Sequence, residues 1–283
     1  MIPAEFDYVA PETVADAIAA LADLDDAKVM AGGQSLLPIL RMRLNAPEKI
    51  VDLGRIAELR GVRDDGDALV IGAMTAYVDL LADPLIREHA ALLHAAIREV
   101  ADPQIRRRGT IGGALVHADP AGDVGAPVLA LDAEMVISGA DGERTVSAAD
   151  FFVDLFETAV QEGELLIAIR VPKHTGWGAA YEKFVRVAHQ WSIVAVGATV
   201  RVTDGVIAEA KIGLTNMGAT PLRAPAVEAA LVGQQASAEA VAAACAAAAD
   251  GTSPPSDLNG DADYRRHLAT VLSRRAVLAA AGG

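Results

Sequence analysis

The sequence predicts a mixed helix-and-strand protein divided into two domains, and three observations lead there. Strand-like and helix-like apolar periodicities alternate through the first part of the chain, up to Pro172. The segment His174-Thr175-Gly176-Trp177-Gly178 then interrupts them as a linker. Beyond it, a block of strands is followed by helices with no further alternation. A chain of 283 residues is long for one hydrophobic core, in keeping with a boundary near residue 176 that gives domains 1–176 and 177–283.

Residues 6–9 read as a short strand, and a helix follows from Thr13, which with Asp16 has the form of a capping box. Lys28-Val29-Met30-Ala31 reads as a buried strand running into Gly32-Gly33. Ser35 opens a helical run over 36–44, with Pro38 tolerated in its first turn. Residues 49–53 and 68–71 are further strands, and 75–81 and 84–100 are helical stretches, after which Arg106-Arg107-Arg108 and a second Gly doublet lie in a loop. A helix over 125–131 and a strand over 134–137 precede a second capping box, Ser147 with Asp150, and a strand over 165–171 closes this half. In the second half the strands are 179–187, 193–202 and 206–214, the last two joined at Asp204-Gly205, a strong hairpin signal. Helices over 225–231, 236–249 and 264–281 complete the chain.

Composition excludes several classes. Hydrophobic residues make up 52% and charged residues 22%, the balance of a folded globular chain. With 38 acidic against 24 basic residues the formal charge is −14, which disfavours nucleic acid and anionic membranes as partners. The amino-terminal stretch lacks the basic and apolar regions of a signal peptide, and no apolar run reaches membrane-spanning length, so a soluble, cytoplasmic chain is expected. Cys245 is the single cysteine, in an Ala-rich helical run where a small buried side chain fits; one thiol cannot form an internal disulfide or ligate an iron–sulfur cluster. His117 and Asp119 have ligand-like spacing without a third partner, so no metal site is expected.

Two glycine doublets stand out: Ala31-Gly32-Gly33-Gln34-Ser35-Leu36 and Thr110-Ile111-Gly112-Gly113-Ala114, the latter trailed by Asp119-Pro120-Ala121-Gly122-Asp123. Without Cβ atoms, bare backbone N–H groups can converge on an anion, and two such halves suit a pyrophosphate. No Gly-x-Gly-x-x-Gly or Gly-x-x-x-x-Gly-Lys pattern occurs, which removes support for Rossmann and P-loop readings. The segment 98–108 carries four Arg and two acidic residues in an acidic chain. It is a solvated face, an aid to phosphate binding or a dock for an acidic partner.

Taken in order with Phe6-Asp7-Tyr8, Val51-Asp52-Leu53, Ile71-Gly72-Ala73-Met74-Thr75, Ala101-Asp102-Pro103-Gln104-Ile105-Arg106, Gly163-Glu164-Leu165-Leu166, Gly213-Leu214-Thr215-Asn216 and Tyr264-Arg265, these doublets carry a family resemblance over nearly the whole length. The chain resembles the FAD-binding medium subunits of the molybdenum hydroxylase (xanthine oxidase) family, above all those of the carbon monoxide dehydrogenase type. The resemblance implies an α+β fold: an FAD-binding domain of two α+β subdomains, of the vanillyl-alcohol-oxidase/PCMH kind, and a C-terminal domain of a three-stranded antiparallel sheet with a helical bundle. By position it implies that Lys28, Val29, Met30, Ala31, Gly32, Gly33, Gln34, Ser35 and Leu36 wrap the pyrophosphate and adenosine side, and that Thr110, Ile111, Gly112, Gly113 and Ala114 supply a second set of amides. It further implies that Asp123 accepts from ribityl or ribose hydroxyls, that Leu165 or Leu166 meets the flavin through backbone groups, and that Lys183 and Trp191 approach it from the second domain. Ala114 stands where the family often has Asn, and Trp191 where it often has Tyr.

No nucleophile–base arrangement or metal box is recognisable, so no catalytic side chain is expected in this chain and bound FAD carries the redox step. The implied role is electron transfer: an iron–sulfur small subunit with 2Fe–2S clusters and a molybdenum-binding large subunit are the partners, in a dimer of heterotrimers that delivers electrons to an external acceptor. A medium subunit of a nicotine, aldehyde or purine hydroxylase, a free-standing FAD oxidoreductase and a flavin-less assembly subunit are the alternatives.

Overall fold

The computed structural model describes residues 2–22 and 26–282. The chain opens with β1 (Asp7–Val9), α1 (Val14–Ala22), β2 (Ala27–Met30), α2 (Leu36–Arg41) and β3 (Lys49–Asp52). The three strands form a parallel sheet in the order β1-β3-β2, with Tyr8 and Lys28 both opposite Ile50. The Thr13 hydroxyl accepts from the Asp16 N–H at 3.1 Å, as the capping box predicts. The strand expected to be buried before the first doublet is instead largely exposed: β2 is an edge strand, and Lys28 and Val29 face outward.

Two short 3-10 turns, Leu53–Arg55 and Ala57–Leu59, lead into β4 (Val62–Asp65) and β5 (Ala68–Gly72). A helical layer follows: α3 (Tyr77–Ala82), α4 (Pro84–His89), α5 (Ala91–Arg98), α6 (Pro103–Arg108), α7 (Ile111–His117) and α8 (Gly125–Ala130). Then come β6 (Glu134–Gly139), β7 (Gly142–Ser147), α9 (Ala148–Phe151), the small hairpin β8 (Phe152–Asp154) and β9 (Glu157–Thr158), and β10 (Leu165–Pro172). Five of these strands make an antiparallel sheet ordered β4-β5-β10-β6-β7. Leu69, Ile71, Leu92, Leu93, Ile97, Ile137 and Ile169, all fully buried, form the core between sheet and helices. Two expectations change here. The stretch 84–100 is two helices broken at Ala90, where φ −135° and ψ 48° leave the helical region. The three arginines end a helix in place of a loop, because Asp102 accepts from the Gln104 and Ile105 N–H groups and Pro103 fills the first turn.

The second half contains β11 (Gly178–Phe184), β12 (Val194–Thr203), β13 (Val206–Thr215), β14 (Leu222–Arg223), α10 (Pro225–Leu231), α11 (Ala238–Ala244) and α12 (Ala262–Ala280). The expected three strands pair antiparallel in chain order, and the two-residue β14 adds a fourth. α12 lies over the sheet through Leu268, Ala269, Leu272, Ala276 and Val277, and Gly178 admits the Ala280 carbonyl O where any Cβ would collide with it. The long helix expected over 236–249 is α11 followed by a 3-10 turn, Cys245–Ala247, with Cys245 buried. The architecture is α+β.

Between β10 and β11 the chain is fastened on both sides. The His174 N–H donates to the His89 carbonyl at 2.8 Å, and Trp177 packs edge-on against the His174 ring at 4.8 Å with the Lys211 ammonium 5.6 Å from the Trp177 ring. Among the described residues, no helix is long and apolar enough to cross a membrane.

Candidate functional site

The two glycine doublets interlock. β2 delivers the first, and Gly32 lies so close to the Arg108 carbonyl and the Gly109 Cα that a Cβ there would overlap them. A Cβ on Gly113 would lie 2.8 Å from Thr110 Oγ1 and 2.9 Å from the Ala31 Cβ, and one on Gly112 would press on Ala73. Only glycine permits this approach of the turn after β2 to the start of α7. Gly33 has φ +73°, the left-handed conformation that turns successive N–H groups toward one side. Among the described residues, the N–H groups of Gly32, Gly33, Gln34 and Ser35 donate to no backbone carbonyl, and the Ser35 hydroxyl does not cap α2. A donor-rich turn opened by two adjacent glycines fits a diphosphate.

The second doublet behaves differently from the expectation. The Ile111 N–H donates to Thr75 O at 3.2 Å, Gly112 to Ala73 O at 2.9 Å and Ala114 to Thr110 O at 3.2 Å, while Gly113 donates to the Thr110 hydroxyl at 3.1 Å. These amides are engaged inside the protein. Ile111 to Ala114 thus pack their backbone behind the first doublet with these N–H groups already paired.

Asp123 and Lys183 are brought together. Lys183 Nζ donates to Asp123 Oδ2 at 2.8 Å and to the Glu99 carbonyl at 3.0 Å, with both side chains of the pair almost fully buried. Tyr181 and Ser192 donate to Asp123 Oδ1 at 2.9 and 3.1 Å. β11 places Tyr181 and Lys183 on the same side, two residues apart, as strand geometry requires. Burial pushes the Asp123 carboxyl upward, against the pull of Lys183 and the two hydroxyls, and burial with the Asp123 charge holds the Tyr181 phenol well above its ordinary range. Tyr181 and Ser192 were not singled out in the sequence; only their fold neighbours mark them.

Leu165 and Leu166 are buried at the start of β10 and pair with Ser138 and Ile137, whereas pairing with β5 begins at Ala168. Among the described residues, one edge of the backbone at Leu165 and Leu166 thus has no strand neighbour. Trp191 is 55% exposed, on the connection between β11 and β12 and next to Ser192. Arg106 is used internally, donating to Val100 O at 2.6 Å. His117 stacks on Phe156 at 5.2 Å, and among the described residues no group of three metal-ligating side chains occurs.

Comparison with known proteins agrees with this geometry. Residues 4–174 match the family described as the FAD binding domain in molybdopterin dehydrogenase, and residues 179–280 the CO dehydrogenase flavoprotein C-terminal domain. The carbon monoxide dehydrogenase medium chain of Hydrogenophaga pseudoflava is 42% identical over 284 residues, covering 99% of this chain and 98% of its own. The glyceraldehyde dehydrogenase medium chain of Sulfolobus acidocaldarius is 36% identical over 276 residues, 98% of each chain. A solved structure of carbon monoxide dehydrogenase from H. pseudoflava, in a form lacking the Mo-pyranopterin moiety of the molybdenum cofactor, matches with a TM-score of 0.96 at 44% identity, over 99% of this chain and 98% of the other. The fold and the glycine turn thus define a flavoprotein, an oxidoreductase subunit built around FAD. The chain belongs to the family of FAD-binding medium subunits of the molybdenum hydroxylases, together with the medium chains of carbon monoxide dehydrogenase.

Proposed function

We propose that this chain is the electron-transferring subunit of a heterotrimeric molybdenum hydroxylase that oxidises carbon monoxide, taking electrons from an iron–sulfur small subunit and passing them to an external acceptor. A molybdenum-binding large subunit performs the substrate oxidation. The observation that carries the reading is the Gly32–Gly33 turn, whose free N–H groups, turned outward through the left-handed Gly33, suit a dinucleotide diphosphate. Carbon monoxide as the substrate rests on the 42% identity to a carbon monoxide dehydrogenase medium chain, against 36% for the glyceraldehyde enzyme.

In this reading residues 1–176 form the FAD-binding domain and 177–283 the C-terminal domain. Lys28, Val29, Met30 and Ala31 line the adenosine side, Gly32 to Leu36 hold the diphosphate, and Thr110 to Ala114 back that turn. Leu165 and Leu166 offer their unpaired backbone edge to the flavin ring. Asp123, already accepting three hydrogen bonds, keeps an acceptor site for a ribityl hydroxyl while pairing with Lys183, and Trp191 borders the ring on its exposed side. Bound FAD supplies one- and two-electron redox chemistry. The protein's contribution is to fix the ring's position and keep a buried, paired Asp123–Lys183 charge beside it.

The test is to produce the full chain alone and together with its genomic neighbours, then measure flavin, iron and molybdenum content and flavin bleaching by carbon monoxide. The isolated chain is expected to hold FAD and remain oxidised under carbon monoxide, aldehydes and purines, with bleaching only in the metal-containing assembly. Bleaching by an organic substrate in the metal-free chain would replace this reading with a free-standing FAD oxidoreductase. Bleaching of the assembly by an aldehyde but not carbon monoxide would move the substrate class.

A further inference from the structure

Two sequence signatures, Gly213-Leu214-Thr215-Asn216 and Tyr264-Arg265, take no part in the cradle, yet the fold brings both to one spot. The connection between β11 and β12 has an exposed tip, with Val187 and Trp191 each 55% accessible, and a buried base at Ser192 and Ile193, 2% and 6% accessible. Asn216 Nδ2 donates to the Ser192 carbonyl at 2.8 Å and to the Ile193 carbonyl at 3.2 Å. The guanidinium of Arg265, completely buried, donates to the same Ile193 carbonyl and, at 2.8 Å, to Asp257. Asn216 is itself tied to the other domain: its N–H donates to Pro120 O at 2.8 Å, in the segment that carries Asp123, and its φ of +62° suits Asn. The Ser192 hydroxyl completes the clamp on Asp123.

We propose that Asn216 and Arg265 are positioning residues that fix the base of the β11–β12 connection against the Asp119-to-Asp123 segment and so set where Trp191 is held. Its bearing on electron transfer rests on the assignment of Trp191 to the flavin edge. A buried guanidinium is a costly way to fill space, and an apolar side chain of similar volume often serves stability as well. What Arg265 adds is a planar fork that reaches Ile193 from α12 while bound to Asp257. Asn216 adds an amide that spans two consecutive carbonyls from a left-handed position.

The experiment uses the full FAD-loaded chain carrying Trp177→Phe, which leaves Trp191 as the sole tryptophan of the two. Asn216→Gly removes the side-chain donors while tolerating the positive φ, and Arg265→Met replaces the fork with an apolar chain of similar length. Both are expected to retain FAD, lower the fluorescence anisotropy of Trp191, and speed tryptic cleavage after the exposed Arg186 at least about fivefold. Leu268→Ala, a core change on α12 at a side chain that hydrogen-bonds neither carbonyl, is expected to lower Tm without moving either signal. Unchanged anisotropy and cleavage in Asn216→Gly and Arg265→Met would overturn the proposal. Should both variants fail to fold, Asn216→Asp and Arg265→Lys decide by the same two signals: loosening in either supports the clamp, and unchanged anisotropy and cleavage in both refute it. The flavin assignment fails separately, if Trp191→Phe leaves flavin reoxidation unaltered while the clamp signals behave as described.

Discussion

Gly33 and Gly113 act by different physical routes, so their substitution should fail in different ways. Valine at Gly33 forces a branched residue into φ +73° beside the free N–H groups, whereas valine at Gly113 drives a wedge against Ala31 and Thr110. Both variants are expected to lose FAD, read as the ratio of 450 to 280 nm absorbance, and Gly113→Val should also lower Tm because it parts two packed segments; retention of flavin by both would remove the cradle. At Asp123, truncation to alanine strands the buried Lys183 ammonium, a loss of about 3–5 kcal/mol that a urea midpoint would register. Asp123→Asn, which keeps an acceptor for Tyr181 and Ser192, is expected to lose less. The turn at Gly32-Gly33 was legible in the sequence from its paired glycines after an apolar run, whereas a role for Asp123 came only from the family resemblance. That the amides of Ile111 and Gly112 are already engaged was not legible, since their acceptors, Thr75 and Ala73, lie on a segment distant in sequence.

Elements with a buried face or a chemical boundary marker were readable, and those without were missed. The Thr13 and Ser147 caps, the Asp204-Gly205 turn and the apolar run of β10 all announce themselves. β4 and β7, the two edges of the five-stranded sheet, do not: Arg63-Asp64-Asp65 and Glu143 stand exposed and charged, as edge strands do to discourage pairing with another chain. The 3-10 turn after α11 was hidden in an Ala-rich run that favours helix throughout. It buries Cys245, and burial pushes that thiol up to about 11. Cys245 is therefore expected to resist a disulfide reagent at pH 8 in the folded chain and to react stoichiometrically after denaturation; rapid native labelling would show that the turn opens.

At the scale of the whole molecule, acidification should act in two stages. Burial holds His174, in the crossing between the domains, and His94 below the ordinary histidine value. The folded state thus favours their neutral forms, so this stability is complete above about pH 6.5 and declines as pH falls through that value toward the folded ones. Hydrogen bonds from Arg144 hold the Glu164 carboxyl low, and Lys211 and Arg223 outweigh burial at Asp132. Those contributions are full above the ordinary carboxylate range and disappear below about pH 4. Thermal melts from pH 8 to 3 should show both declines, and His174→Gln should flatten the first; a parallel profile in that variant would remove His174 from the account.

The meeting of Gly178 with the Ala280 carbonyl also sets an order of assembly. The first strand of the C-terminal sheet, paired along its length with β12, meets the last turn of α12 at Gly178, and its three long strands end at Thr215, roughly 50 residues before that helix begins. At about 5–20 residues per second, a nascent chain would leave the apolar face of β11, β12 and β13 uncovered for roughly 2 to 10 seconds. The C-terminal sheet is thus expected to engage a chaperone during synthesis: ribosome-stalled chains ending before Ala262 should be held by one, while full-length chains tethered through an added linker are released.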